Sequence, residues 1–263
     1  MSNQNELAKK IKQKSELIFA KIIDPQTNNE IKFSLKNDTT IYRAKSMFTK
    51  EPETINWIRG FAEGSVFYDI GANVGVYSLF GAINSNVKVY SFEPDSNNFQ
   101  ILMENILLNK LNGLILAYPI GISDKTELTK LNLSIFDVGA SHHTVGGNLL
   151  DHNSLKKINN NISQGIFSTP LDDLCGIWGL PEPNYIKIDV DGIENKIIKK
   201  SEKILKSNSL NSVLIEINAN REEDKEILEI MKFHGFNYDI NQVKKSTRLT
   251  GRHKGYAEYI FKR

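Results

Sequence analysis

Two apolar segments of the chain end in acidic side chains, and the spacing of these acids suits the binding of a metal ion or the transfer of a proton. The segment YIKIDVDG carries Asp189 and Asp191, which share one face of a regular strand because both numbers are odd. The later segment SVLIEIN carries Glu216. Oxygen ligands of this kind bind a divalent cation such as Mg²⁺, so these three acids form one candidate metal site. Asp189 and Asp191 equally suit a catalytic base and its orienting partner, or caps of helices and turns.

Three further residues are candidates for contact with a substrate or its proton. Glu194 opens the helix after YIKIDVDG, where the helix dipole favours its charge, and we expect it to contact the substrate. In GASHHTVGG, His142 is a candidate catalytic base because histidine titrates near neutral pH, and His143 is a candidate substrate contact. The small residues around them would let this loop close over a substrate. Two solvated loop histidines are the alternative.

A basic segment near the C-terminus, NQVKKSTRLTGRHKG, suggests contact with an anion. It includes Lys244 and Arg248, which we expect to bind a phosphate group on the acceptor. The alternative is a solvated hairpin tip.

The segment VFYDIGANVGVYSLF predicts a strand, a glycine loop and a helix, an arrangement that binds small ligands. Gly71 and Gly75 allow the backbone to approach a ligand, and the helix that follows offers free amides to an anion. Asn73 stands where a dinucleotide-binding loop requires its second glycine, so a pyrophosphate is disfavoured. Asp69 lies just before the loop, where its carboxylate suits an ammonium group and repels phosphate.

An acidic residue at the end of the next strand completes this candidate cofactor site. Glu93 follows Asp69 by 93 − 69 = 24 residues, where a carboxylate takes the two hydroxyls of a ribose, and Pro94 shapes the turn after it. The site therefore suits an ammonium, a carboxylate and a ribose without a pyrophosphate. S-adenosylmethionine has those groups. Glycines that only turn the chain beside a surface Glu are the alternative.

The elements that position these residues alternate between strands and helices from about residue 65. Apolar runs rich in β-branched residues alternate with helical segments, which predicts a mostly parallel sheet covered on both faces. The last two strands are joined by a loop and should be antiparallel. We expect a domain over 61–263, with an inserted substrate-side segment at about 122–183.

Residues 1–60 are predicted to form an N-terminal helical and hairpin appendage. The first residues form a Lys-rich amphipathic segment, which suits a frayed, solvated helix or contact with a membrane surface. The segment IKFSLKNDTTIYRA predicts a hairpin around Asn37 and Asp38, and a short helix follows from Pro52 to about Gly60.

The composition excludes several classes of protein. The 263 residues carry a net charge of +2, which gives no overall reason to expect nucleic acid as a partner. Cys175 is the one cysteine, so an internal disulfide and a cysteine-based zinc cage are excluded. The sequence shows neither a secretory signal nor an apolar run of membrane-spanning length, so we expect a cytoplasmic protein. The oligomeric state is not predicted.

Several segments resemble the FkbM family of S-adenosylmethionine-dependent methyltransferases. They are YDIGANVGVYS, VYSFEPDSNNFQILMENILLN, GISD, VGAS, TPLDDL and NYIKIDVDGIE, in this order. The resemblance covers about residues 66 to 218. It implies a class I methyltransferase-like, Rossmann-like α/β fold with a seven-stranded sheet and an antiparallel last strand.

The resemblance also implies roles for particular residues. Asp69, Gly71, Asn73 and Gly75 would hold the methionine end of the cofactor, and Glu93 would hold the ribose. Ser123 or Asp124 of GISD would reach the adenine.

The activity implied is O-methylation of a sugar hydroxyl, on a nucleotide-linked sugar or a surface polysaccharide of capsule or lipopolysaccharide type. The acceptor would be a small molecule or glycan bearing phosphate. Alternatives are a methyltransferase of RNA, protein or another natural product, a nicotinamide oxidoreductase, which Asn73 disfavours, and a binding module without catalysis.

Overall fold

A seven-stranded sheet runs through the molecule and brings the candidate residues to one edge. The computed structural model describes residues 18–133, 137–141, 143–146, 162–251 and 253–263. In order across the sheet, the strands are β12 (Asn237–Tyr238), β13 (Tyr256–Lys262), β11 (Ser212–Asn218), β10 (Tyr185–Ile188), β3 (Val66–Ile70), β4 (Lys88–Phe92) and β5 (Ile115–Tyr118). Neighbours pair in parallel except at β13, which is antiparallel to both β11 and β12. The predicted class I methyltransferase-like α/β fold is confirmed.

The strand order reverses beside β3, and this reversal determines where a ligand can bind. The chain adds β4 and β5 on one side of β3 and later adds β10 and β11 on the other. In such sheets a ligand binds beyond the carboxyl ends of the strands at the point of reversal. The segments that follow β3, β4, β10 and β11 therefore converge on one crevice.

Helices cover both faces of the sheet and enclose two buried apolar clusters. The helices are α1 (Asp38–Lys45), α2 (Pro52–Arg59), α3 (Val76–Ser85), α4 (Ser96–Leu108), α5 (Leu171–Gly176), α6 (Glu194–Lys199), α7 (Glu202–Lys206), α8 (Glu222–Phe233) and α9 (Ile240–Ser246). On β3, Phe67 packs in one cluster with α2 and α3, and Tyr68 packs in the other with α6 and α8. Because neighbouring residues face opposite sides, a strand buried on both faces is mostly apolar. In the described part of the chain, no helix is both long and apolar enough to cross a membrane.

The N-terminal segment differs from the hairpin predicted over 31–44. Strand β1 (Phe19–Ile23) pairs antiparallel with β2 (Glu30–Ser34), and the residues after Asn37 form α1. The hairpin prediction was wrong because Asn37 begins a helix instead of a turn. Its side chain accepts a hydrogen bond from the Thr40 amide (2.9 Å), and the Thr40 hydroxyl accepts one from the Asn37 amide (3.1 Å).

Strand β2 is held against α4 by side-chain amides. Asn105 accepts a hydrogen bond from the Ser34 amide (2.6 Å), and Asn109 bonds to both backbone groups of Lys32. Residues 1–17 lie outside the described residues, and strand β1 occupies the end of the segment predicted as an amphipathic helix. The division of the chain at residue 60 stays a prediction.

The middle of the chain builds a second, four-stranded sheet beside the crevice. Its order is β6 (Gly121–Ile122), β9 (Ser163–Thr169), β7 (Glu127–Asn132) and β8 (Thr144–Val145). The segment LILAYPIGISD holds two strands, because β5 ends before Pro119 and β6 pairs with β9. Proline lacks the amide hydrogen that a strand interior needs, which explains the break.

Two further predictions about the C-terminal half need correction. The helix predicted after YIKIDVDG is divided into α6 and α7, which meet at Lys200 and Ser201. The segment between the last two strands is not a simple loop, because Asp239 caps α9 by accepting a hydrogen bond from the Asn241 amide (2.8 Å).

Gly71 allows the ends of β3 and β10 to approach each other. Its φ is +77°, and a Cβ atom placed on it would lie 2.0 Å from the carbonyl oxygen of Asp189. A side chain there would strain the backbone and also push the two strand ends apart. Glycine at this position therefore sets the width of the crevice.

Replacing Gly71 by alanine should lower the free energy of unfolding by roughly 2–5 kcal/mol, because strain from the left-handed backbone adds to the steric clash. Urea denaturation followed by circular dichroism measures this change. Gly113→Ala is the matched control, since a Cβ there meets no atom within 4 Å, and its expected effect is within about 0.5 kcal/mol. Equal stabilities of the two variants would contradict the packing described for Gly71.

Candidate functional site

A cavity of about 520 Å³ opens at the carboxyl edge of the sheet, where the strand order reverses. This volume is typical of ligand pockets, which span roughly 300–1,000 Å³. The predicted site residues that line it are Gly71, Asn73, Glu93, Pro94, His143, Asp189, Asp191, Glu216 and Arg248. The strand ends therefore bring residues predicted for the cofactor and for catalysis into one space.

Other predicted residues lie away from the cavity wall. Among the described residues these are Asp69, Gly75, Ser123, Asp124, Glu194 and Lys244. His142 lies outside the described residues. Gly121 and Ile122, just before the predicted adenine contacts, line the cavity instead.

Glu93 lies where β4 ends and holds the glycine loop in place. Its carboxylate accepts hydrogen bonds from the backbone amides of Asn73 (2.7 Å) and Asp95 (2.9 Å). Burial raises the pKa of Glu93 to about 7, although both bonds favour the charged form. A ligand that donates further hydrogen bonds to this carboxylate would favour its ionised state.

Asn73 connects the glycine loop to a second loop above it. It adopts a left-handed φ of +51°, and its side-chain amide donates a hydrogen bond to the Ala140 carbonyl (2.8 Å). Asn98 holds the same loop through the Gly139 amide (2.7 Å) and the Ala140 carbonyl (3.1 Å). Side chains of α4 and the glycine loop thus hold residues 139 and 140 at the cavity wall.

Asp69 supports the glycine loop from beneath. It is fully buried, and its carboxylate accepts a hydrogen bond from the Ser78 hydroxyl (2.5 Å), which also bonds to Ser91 (2.7 Å). Burial raises the pKa of Asp69, while Lys187 and the Ser78 bond oppose that rise. This placement connects β3, α3 and β4 below the cavity.

A buried lysine on β10 lines the cavity. Lys187 is only 2% exposed, and its ammonium group lies 3.0 Å from a carboxylate oxygen of Asp189. Its Nζ atom is also 5.0 Å from the centre of the Tyr77 ring. Burial disfavours the charged form, but Asp189, Asp69 and Glu51 outweigh it and raise the pKa of Lys187. Lys187 therefore stays charged and fixes Asp189 at the cavity wall.

Arg248 forms the second cationic centre. Its guanidinium lies 2.7 Å from Glu216, 3.1 Å from Glu51 and 3.4 Å from Glu258. Among the described residues, these three glutamates are the acids whose ligand atoms all lie within 4.8 Å of one another. Arg248 therefore supplies the positive charge where a cation would bind.

The predicted metal set of Asp189, Asp191 and Glu216 is not assembled in the described part of the chain. Asp189 pairs with Lys187, and Glu216 pairs with Arg248. The sequence pattern shows the acids but not the cations that fold against them.

The three glutamates differ in their ionisation. Burial favours the neutral form of Glu51, but the charges of Lys50 and Lys187 outweigh burial and lower the pKa of Glu51 to about 2. Burial, together with the charge of Asp189, raises the pKa of Glu216 well above its usual value. Burial and the neighbouring Glu51 raise the pKa of Glu258 to about 7. At neutral pH the three carboxyls therefore hold fewer than three negative charges.

The remaining candidates are placed less favourably for contact with a substrate. The Glu194 carboxylate accepts hydrogen bonds from the amides of Val190 (3.1 Å) and Gly192 (3.0 Å), so it orders the turn before α6. Lys244 is exposed on α9, away from the cavity. The structure does not bring Lys244 and Arg248 together as a phosphate site, because Arg248 is committed to the three glutamates.

Sequence reasoning missed Glu51, Tyr77, Lys187 and Glu258, all of which belong to this cluster. One signal could have found two of them. Lys187 and Glu258 stand inside strands that are otherwise apolar and buried, where a charge is retained only with a partner. Glu51 comes from the N-terminal segment and carries no local signal of this kind.

The chain is similar to known methyltransferases over most of its length. A model of the methyltransferase FkbM domain matches residues 69–238. The hexuronic acid methyltransferase AglP of Haloferax volcanii is 22% identical over 219 residues, covering 83% of this chain and 79% of AglP.

Two solved structures of methyltransferases are also similar. Methyltransferase FkbM from Methylobacillus flagellatus KT aligns with a TM-score of 0.49 and 16% identity, over 87% of this chain and 56% of that one. The present chain thus spans just over half of that protein's length. The precorrin-6y C5,15-methyltransferase of Geobacter metallireducens GS-15 aligns with a TM-score of 0.48 and 10% identity, over 88% and 93% of the two chains.

The family match extends from the end of β3 to β12 and covers more than half of the chain. It includes the glycine loop, Glu93 and the end of β10, which together line the cavity. The chain therefore belongs to the FkbM family and is a methyltransferase.

Proposed function

We propose that this enzyme transfers a methyl group from S-adenosylmethionine to a sugar hydroxyl, on a nucleotide-linked sugar or a surface polysaccharide of capsule or lipopolysaccharide type. The observation that carries the proposal is one cavity with Glu93 and Asp189 on opposite sides of β3. A carboxylate suited to bind ribose and a carboxylate able to accept a proton therefore line one cavity. AglP is named a hexuronic acid methyltransferase, which supports a sugar as the acceptor.

The residues of the cavity fit the parts of the methyl donor. Glu93 is a buried acceptor for the ribose hydroxyls, and Gly71 lines the same cavity. An apolar wall suits the adenine; its residues are Phe92, Ile122, Leu131 and Val145. Asn73 and Ala72 complete the loop at the methionine end.

Asp189 is the residue that we assign to the acceptor proton. The donor, when bound, supplies an electrophilic methyl group on a sulfonium. The Asp189 side chain is 27% exposed at the cavity wall, and the bond from Lys187 fixes its orientation. A carboxylate held in this way can accept the proton as the hydroxyl oxygen attacks. Lys187 stays charged throughout and keeps Asp189 in place.

An acceptor screen tests this function directly. The enzyme is incubated with S-adenosylmethionine and a panel of UDP-sugars, hexuronates and oligosaccharides, with and without EDTA, and the products are read by mass. One sugar should gain one methyl group, and EDTA should leave the reaction unchanged because Arg248 and Lys187 supply the cationic charge. Methyl transfer to RNA or protein, with every sugar unmodified, would overturn the sugar assignment.

Replacing Glu93 by glutamine should weaken binding of S-adenosylhomocysteine by about tenfold to a hundredfold, because charge-assisted hydrogen bonds to the ribose are lost. Isothermal titration calorimetry measures this change. Glu127→Gln, at an exposed position of β7, is the matched control and should bind as the wild type does. Unchanged affinity in Glu93→Gln would remove Glu93 from the cofactor site.

Replacing Asp189 by asparagine should lower kcat about 10²- to 10⁴-fold with the acceptor that the screen identifies, because the proton acceptor is lost. The affinity for S-adenosylhomocysteine should stay within about threefold of wild type, since Glu93 and the glycine loop remain. A variant that retained full turnover would exclude Asp189 as the base and leave His143 and the predicted His142 as candidates.

A further inference from the structure

One face of α1 and the turn after it form a wall of the cavity. The residues on this face are Thr39, Tyr42, Arg43, Ser46, Met47 and Lys50. Thr39, Tyr42 and Arg43 are three and four residues apart, as on one helix face, and the other three lie after the helix ends at Lys45. Thr40 and Ala44, on the other side of α1, are buried. The N-terminal segment therefore presents hydroxyl groups and two cationic residues to the ligand space.

Arg43 is held at the rim of the cavity by a backbone contact. Its Nε atom donates a hydrogen bond to the Gly139 carbonyl (2.7 Å), in the loop that Asn73 and Asn98 support. In the described ranges of the chain, Arg43 forms no ion pair with a carboxylate. Its charge opposes the rise in the pKa of Glu93 through space, and it is available to an anion in the cavity because no described carboxylate pairs with it directly.

Lys50 supplies the second charge. Its side chain is 39% exposed, and its ammonium group lies 2.5 Å from Glu51. Burial lowers the pKa of Lys50, but Glu51 and Asp189 outweigh burial and raise it, while Arg43 opposes them. Arg43 and Lys50 are thus near enough to repel each other, and an anion bound between them would relieve this repulsion.

We infer that α1 and Lys50 form a subsite for an oxyanion on the acceptor, such as the carboxylate of an acidic sugar or a phosphate ester. Arg43 and Lys50 bind the anion, and the hydroxyls of Thr39, Tyr42 and Ser46 bind the sugar around it. This inference rests on the proposed function, because it takes the methyl donor to be bound at Glu93 and the glycine loop. It makes the N-terminal segment the part of the chain that selects the acceptor.

Binding measurements with matched sugars test the subsite. Wild type, Arg43→Met, Lys50→Met and the double variant are titrated with glucuronate, glucose 6-phosphate and glucose, each at saturating S-adenosylhomocysteine. Lys45→Met is the matched control, because it removes one charge from an exposed position of α1 outside the cavity wall. Urea denaturation checks that each variant is folded. Arg43→Met leaves the ion pair between Lys50 and Glu51 intact, so it tests the subsite independently of that pair.

The wild type should bind at least one of the two anionic sugars about tenfold or more tightly than glucose. Each single variant should lose about tenfold in that affinity, and the double variant should bind anionic and neutral sugars alike. Preference for glucuronate over glucose 6-phosphate would identify the anion as a carboxylate, and the reverse as a phosphate. Lys45→Met should match the wild type.

Three results would overturn the subsite. In the first, the wild type binds neither anionic sugar more tightly than glucose. In the second, the variants retain the preference. In the third, the variants lose affinity for S-adenosylhomocysteine but not for 5′-methylthioadenosine, which lacks the amino-acid part; the two cations would then bind the methionine carboxylate. Failure of the wild type to bind S-adenosylhomocysteine at all would contradict the proposed function instead.

Discussion

A buried ammonium group is the constraint on which the rest of the site depends. Lys187 lies in the middle of the sheet and is 2% exposed. An unpaired charge at such a position would cost several kcal/mol, so acids must be brought to it. They come from separate elements: Asp189 from the end of β10, Asp69 from β3 and Glu51 from the N-terminal segment. The contacts that pair Lys187 with these acids therefore also bring together residues of the cavity wall.

Arg248 repeats the same arrangement at the neighbouring strands. Its guanidinium pairs with Glu216 of β11, Glu258 of β13 and Glu51. These pairs hold the N-terminal segment and the last strand at the cavity wall. Because the two cations are supplied by the protein, the acids can stand close together at the strand ends without a metal ion. Removing either cation would leave buried acids uncompensated, which is more costly than losing one hydrogen bond.

The sequence predicted what depends on neighbouring residues and missed what depends on distant ones. The glycine loop and Glu93 were placed in one crevice because parallel strands end at the same edge of a sheet, and the structure has them there. The contact between Glu51 and Arg248 joins residues 197 positions apart, and no local pattern announces it. The cations that pair with Asp189 and Glu216 were missed for the same reason, and the hairpin prediction failed because Asn37 suits a helix cap as well as a turn.

A crystal structure of the enzyme with S-adenosylhomocysteine, grown in the presence of Mg²⁺, tests the central claim most directly. We expect the ribose hydroxyls to lie within hydrogen-bond distance of the Glu93 carboxylate and the sulfur to face Asp189. We also expect Arg248 to remain among Glu51, Glu216 and Glu258, with no ion bound there. A ribose bound away from Glu93, or a Mg²⁺ ion that displaces Arg248 from the glutamates, would contradict the account.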